Sequence, residues 1–272
     1  MRDVLEFTIL GSGSSGGVPR ADGDWGRCDP AEPKNWRTRC SLLVRRKNQS
    51  NQEDETTILV DTAPDLRLQT AAAGAKRMDA VLYTHDHADQ AHGLDDLRAF
   101  AIKMRRRTPC YMNQATASSL AHRRFSYIFE GEGGYPAICD LCALPPDGEP
   151  WCIDGPSGAV PVLNFEVDHG GVKAVGYRFG DVAYCPDVVR LPAEAMAALR
   201  GLDVFIIDAL RDTPHPTHAH VALALEWIGE LKPRRAILTN LHIDLDYNDL
   251  KGRLPPCVEP AYDGLRFEVP AC

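Results

Sequence analysis

The stretch Ala80-Val81-Leu82-Tyr83-Thr84-His85-Asp86-His87-Ala88-Asp89-Gln90-Ala91-His92-Gly93 decides how the rest of the chain is read. Its first five residues are an apolar run of strand length, and the polar residues stand where the chain turns out of that strand. Two histidines at i and i+2 and an aspartate at i+4 can converge there, and imidazole with carboxylate is the donor set of a divalent metal site. Three of the nine histidines fall within these eight residues, 85–92, a density that a random polar loop would rarely produce.

Working outward, residues 6–10, 40–44 and 57–61 read as strands and 64–73 as a short helix. Residues 89–104 read as one helix, and 131–158, rich in Gly and Pro, as an irregular insertion or a cover over a site. Strands at 160–166, 172–179, 182–185, 204–208 and 236–238 then alternate with helices at 192–199 and 220–231, where Thr217 reads as a cap. Many strands among few helices predict sheets covered by helices on their outer faces, not one doubly wound parallel sheet. No shift in composition marks a linker, so a single domain over residues 1–272 is expected.

Hydrophobic residues make up 44% and charged residues 25% of the chain, ordinary values for a soluble globular protein. No apolar run approaches the roughly 20 residues that a bilayer span requires. Met1-Arg2-Asp3-Val4 lacks the pattern of a secretory signal, and nine scattered cysteines read as reduced thiols, so a cytoplasmic location is expected. A net charge of −8 opposes binding to long nucleic acid but leaves room for a small nucleotide in a locally positive pocket. The basic run Lys103-Met104-Arg105-Arg106-Arg107 reads as the solvated end of a helix.

Gly11-Ser12-Gly13-Ser14-Ser15-Gly16 has the spacing of a dinucleotide-binding turn and follows a strand. That turn must open a helix, yet Gly17-Val18-Pro19-Arg20 follows, and no Lys-Ser or Lys-Thr makes it a P-loop. Its glycines can instead bring backbone N–H groups close to a phosphate or a metal site.

Seven motifs occur in order: the 10–19 loop, Leu59-Val60-Asp61-Thr62-Ala63-Pro64-Asp65, the His85 stretch, His169-Gly170, Tyr184-Cys185-Pro186-Asp187, His215-Pro216-Thr217-His218 and Glu259-Pro260-Ala261-Tyr262-Asp263-Gly264. This set resembles the metallo-β-lactamase superfamily with its H-x-H-x-D-H signature. Within it the chain resembles the branch of the phosphonate-pathway cyclic-phosphate phosphodiesterase and relatives of tRNase Z. The resemblance implies an α/β fold, the αββα four-layer sandwich in which two central mixed sheets are flanked by helices. It also implies one or two divalent ions, Mn²⁺ or Zn²⁺, with His85, His87 and His169 holding the first, Asp187 bridging and Asp89 serving the second. Asp61 would orient a ligand histidine, and His218 would contact the phosphate or protonate the leaving oxygen, so His218 and Asp89 are the catalytic candidates.

The chain departs from the pattern at Gln90, where the motif ends in histidine, and at Leu238-Thr239-Asn240, where the family has L-T-H. His242 is added to the metal candidates because it could supply the missing imidazole, as could His92. Oxygen ligands in their place would suit Mn²⁺ or Mg²⁺ better than Zn²⁺. Only Cys28 remains of the cysteines that hold a structural zinc in this branch, so no such zinc is expected, and Cys139-Asp140-Leu141-Cys142 is half a zinc site at most. Arg39, Arg67 and Arg98 are candidates for phosphate contacts or for surface ion pairs. The activity so implied is that of a metal-dependent hydrolase, a phosphodiesterase using a metal-activated hydroxide on a small cyclic phosphate or nucleotide. Lactone or thioester hydrolysis, and metal-dependent nucleotide binding without turnover, are the alternatives. No long nucleic acid and no membrane is expected as a partner, and a homodimer is left open.

Overall fold

Side chains on a strand alternate between faces, and the central strands of this chain bury both. Leu42 and Val44 point into one buried cluster and Leu43 into another; Ile58 and Val60 are divided in the same way from Leu59. Strands that are apolar on both faces must lie inside a layered fold. The computed structural model, which describes residues 3–48 and 51–271, shows those layers. Met1 and Arg2, where the reading of the N-terminus began, lie outside the described residues.

Strands β1 (Val4–Gly11), β2 (Ser41–Asn48), β3 (Asn51–Val60), β4 (Ala80–Leu82), β5 (Thr108–Met112) and β6 (Cys139–Ala143) form one sheet in that spatial order. Strands β7 (Trp151–Ile153), β8 (Val160–His169), β9 (Val172–Phe179), β10 (Val182–Cys185), β11 (Val204–Asp208), β12 (Arg235–Thr239) and β13 (Val258–Pro260) form the second, and β14 (Arg266–Pro270) returns to the edge of the first beside β1. Both sheets are mixed. Pairing is antiparallel from β14 to β3 and parallel from β3 to β6, antiparallel from β7 to β10 and parallel from β10 to β13.

Phe7, Ile9, Val44 and Leu82 of the first sheet pack against Tyr177, Phe179, Tyr184 and Ile206 of the second in a shared core. Outside the first sheet, Leu66, Leu97, Phe100 and Ile128 cover Leu43, Leu59 and Tyr83; outside the second, Ala195, Leu199, Ala224 and Ile228 cover Phe205, Ile207 and Leu238. The order helix, sheet, sheet, helix is the expected αββα sandwich.

Three expectations need correction. The helix over 89–104 is broken into Ala88–Ala91, a 3-10 turn at Leu94–Leu97 and Arg98–Met104. The insertion at 131–158 contains β6 and β7, which extend one edge of each sheet. Thr217 is not a helix cap: Val221–Leu231 starts after His220, and the Thr217 carbonyl serves a histidine instead.

Two hydrogen bonds tie the sheets together where the first delivers its histidines. Val175 N–H donates to the Thr84 carbonyl at 2.9 Å, and the Tyr177 hydroxyl to the Tyr83 carbonyl at 2.7 Å. Beyond them, Asp263 accepts from Ser12 N–H and Oγ with one carboxylate oxygen and from Thr38 N–H and Oγ1 with the other, at 2.6 to 2.9 Å. That carboxylate fixes the glycine-rich loop.

Gly93 explains the broken helix. Its N–H donates to the Thr62 carbonyl while Thr62 N–H donates to the Gln90 carbonyl, both at 2.8 Å, stitching the histidine loop to the turn after β3. A Cβ on Gly93 would lie 2.0 Å from the Ala63 carbonyl oxygen, so only glycine allows this approach. Gly93→Ala is expected to destabilise the fold by about 1–3 kcal/mol through overpacking, read as a lower urea midpoint at unchanged slope.

Candidate metal centre

The site forms where strands of both sheets end. Asp61 follows β3, His85 and His87 follow β4, His169 closes β8, Asp187 follows β10, Asp208 closes β11 and Asn240 follows β12. Residues just past strand ends are free of the ladder and can point along it toward a common centre.

The imidazoles of His85, His87 and His169 face one another with ring centres 4.4 to 5.1 Å apart, and Nε2 of His169 lies 3.4 Å from Nδ1 of His87. In His169 and His85 the outer nitrogen is held from behind. His169 Nδ1 donates to the Thr217 carbonyl at 2.6 Å, which leaves a lone pair on Nε2. Gly170, at φ +65°, permits this approach, since a Cβ there would meet the Thr217 side chain at 2.3 Å.

For His85 the support is a relay. Asp61, at φ +63°, accepts Thr84 N–H and the Thr84 hydroxyl hydrogen, each at 2.8 Å, so Thr84 Oγ1 is left to accept from His85 Nδ1 at 3.0 Å. His85 Nε2 then carries a lone pair, and it is buried without any hydrogen-bond partner. An orphaned buried acceptor is costly unless something electrophilic meets it. Burial and the neighbouring histidines push the His85 imidazole well below its usual range, and burial, with the charge of His218, pushes His169 down to about 4. Neutral imidazoles with inward lone pairs fit a divalent ion.

Asp187 is buried beside them, and burial followed by the charges of Asp89, Asp208 and Asp61 pushes its carboxyl well up. Its two oxygens accept from the Gln90 amide at 2.9 Å and, more distantly, from the Asn240 amide at 3.4 Å. His169, Asp187 and His218 bring their ligand atoms within 4.8 Å of one another, as do His85, His87 and His169. His218 donates from Nδ1 to Asp208 at 2.9 Å, which turns its other nitrogen toward a cavity of about 300 Å³.

That cavity is lined by Ser14, Ser15, Gly16, Arg20, Asp89, Arg211, His215, His218, Asn240 and His242. Asp89 thus reaches the cavity but joins neither ligand group among the described residues. His242 lines the cavity but joins neither ligand group among the described residues: its Nδ1 meets Asp244 at 2.9 Å and its Nε2 meets Arg20 at 2.7 Å. His92 turns away and packs edge-on against Phe125. His215 stands beside His218, with ring centres 5.1 Å apart, and its Nδ1 lies 3.3 Å from Thr217 N–H. The cavity has none of the three arginines singled out earlier: Arg39 pairs with Asp65, Arg98 with Asp95, and Arg67 is exposed elsewhere.

Sequence reading missed Asp208, Arg20 and Arg211. Asp208 had a usable signal, an acidic residue ending an apolar strand as Asp61 does; the arginines had none, because loop closure alone brings them in. Cys28 donates its thiol to the Ile243 and Leu245 carbonyls and packs on Ile243. Nearby, the buried Arg37 reaches the Asn35 amide oxygen at 3.0 Å.

Asp61→Asn tests the relay. The amide would donate to Thr84 Oγ1, reversing the hydroxyl so that it donates to His85 Nδ1 and puts the ring proton on Nε2. Metal affinity by titration calorimetry is expected to fall about 10- to 100-fold with the fold intact by circular dichroism; unchanged affinity would remove the relay from the site.

Comparison with known proteins agrees with this geometry. The β-lactamase superfamily domain matches residues 56–243. A crystal structure of a diphosphatase from the PhnP family is 34% identical, superposes with a TM-score of 0.85, and is covered over 98% of its chain by 99% of this one. Zn²⁺-bound PqqB from Methylobacterium extorquens, at 18% identity, TM-score 0.71 and coverage of 97% and 100%, and the short form of human tRNase Z, at 16%, 0.63 and 97% and 99%, share the fold. An octanoyltransferase of Porphyromonas gingivalis (strain ATCC BAA-308 / W83) is 32% identical over 266 residues, 96% of this chain, which spans about half, 51%, of that protein's length. With the domain matched across more than half of its length and the sandwich and histidine cluster in place, the chain belongs to the β-lactamase superfamily.

Proposed function

We propose that the chain is a metal-dependent phosphodiesterase acting on a small cyclic phosphate or nucleotide. The observation that carries this reading is the lining of the cavity. Arg20, Arg211 and the glycine-rich loop share it with His218, which Asp208 holds and which groups with His169 and Asp187 among the side chains able to hold an ion. A compact, mainly polar cavity that holds guanidinium groups together with His218 suits a phosphate ester better than a neutral lactone. The similarity to a PhnP-family diphosphatase supports the same choice.

His85, His87 and His169 would hold the ion, with Asp187 beside them. When bound, a divalent ion such as Mn²⁺ or Zn²⁺ supplies Lewis acidity toward a phosphoryl oxygen and makes water acidic enough to serve as a nucleophile near neutral pH. The remaining steps fall to the protein. Arg20 and Arg211 orient the phosphate, and the site stays small enough to exclude a long polynucleotide. Asp208 fixes the tautomer and direction of His218, which gives its proton to the departing alkoxide. Octanoyl transfer belongs to a relative twice this length and supplies no argument for this site.

The test is hydrolysis of bis(p-nitrophenyl) phosphate and a 2′,3′-cyclic nucleotide by metal-stripped protein reloaded with Mn²⁺ or Zn²⁺. Turnover that requires metal is expected. His218→Ala should lower kcat by about 10²- to 10⁴-fold, and Arg20→Ala should raise KM more than it lowers kcat. Turnover of a thioester or lactone with none of a diester would overturn the assignment.

A further inference from the structure

The two departures from the superfamily's ligand pattern, Gln90 and Asn240, lie far apart in sequence, yet both direct their amide nitrogens at Asp187. Gln90 Nε2 donates to one carboxylate oxygen at 2.9 Å and Asn240 Nδ2 approaches the other at 3.4 Å. Asn240 Nδ2 also donates to the Pro186 carbonyl at 3.0 Å and to Asp208 at 3.2 Å. His218 Nδ1 lies 3.1 Å away as well, but turning the Asn240 amide over would set its oxygen against the three oxygen acceptors, so the N–H end faces them. An amide nitrogen has no lone pair to give a cation, and both amides direct hydrogens at the Asp187 oxygens.

The two groups of side chains able to hold an ion among the described residues also share His169. One nitrogen of that ring is taken by the Thr217 carbonyl, leaving a single nitrogen for a single ion. His242 joins neither set, and its nitrogens meet Arg20 and Asp244.

We infer that this is a one-ion centre in which the Gln90 and Asn240 amides take the place of a second ion against Asp187. The inference rests on the proposed metal centre. It assigns Gln90 and Asn240 as positioning residues: they hold Asp187, and through Asp208 the His218 ring, in the arrangement that a second cation would otherwise impose. It also gives Arg20 and Arg211 a larger task, since one ion fewer leaves more phosphate charge for guanidinium groups to balance. Gln90 Oε1, buried and without a partner, is where this arrangement is least tied down.

The experiment is elemental analysis of the full chain, stripped with chelator, loaded with excess Zn²⁺ or Mn²⁺ and desalted. About one ion per chain is expected for the unaltered protein with either metal, and about two for Gln90→His combined with Asn240→His. Two ions in the unaltered protein would overturn the one-ion inference while leaving the metal centre standing; none would overturn both. A double variant that fails to fold by circular dichroism leaves the decision to the unaltered protein, whose count suffices.

Discussion

The centre depends on holding two independent sheets in register at one corner. His85 and His87 come from the first sheet, His169, Asp187 and Asp208 from the second, and apolar packing between the faces is non-directional. Directional bonds set the alignment: Val175 N–H to the Thr84 carbonyl and the Tyr177 hydroxyl to the Tyr83 carbonyl cross the gap within two residues of His85. A slide of one sheet against the other would break both bonds in a buried setting and separate the histidines together.

Electrostatics at that corner is balanced between two kinds of reluctance. Burial pushes the carboxyls of Asp61, Asp187 and Asp208 up and the imidazoles of His85 and His169 down, so each group is drawn toward its uncharged form. For the histidines that is the form a cation requires, and for the carboxylates a cation supplies the missing reason to ionise. The hydrogen bond to His218 opposes the effect of burial on Asp208.

Much of the fold was legible because the hydrophobic pattern is strong where strands are buried on both faces, as at 57–60 and 204–207. It was least legible where long-range contact overrules local preference. Nothing near Gly93 in sequence announces the Ala63 carbonyl that breaks the helix, and the polar segment around Cys139 and Trp151 becomes strand only because each sheet has an edge to extend. His85 and His87 were visible through motif spacing, and His169, Asp187 and His218 through the family resemblance. Arg20 was not, since its place in the cavity with His218 follows from the path of a loop that carries no periodicity. The direction of the His242 ring was not visible either: proximity in sequence to Asn240 said nothing about it.

The Asp263 carboxylate clamps Ser12 and Thr38, and β14, just beyond it, pairs with β1. The wall of the cavity built from the beginning of the chain is therefore secured by residues made about 250 positions later. During synthesis, Ser12 and Thr38 have no Asp263 carboxylate to meet their N–H groups until 251 and 225 further residues, respectively, have been made. The histidines can therefore be made long before the contact that anchors the loop beside their cavity, and loss of the segment carrying Asp263 and β14 would leave that loop without its anchor.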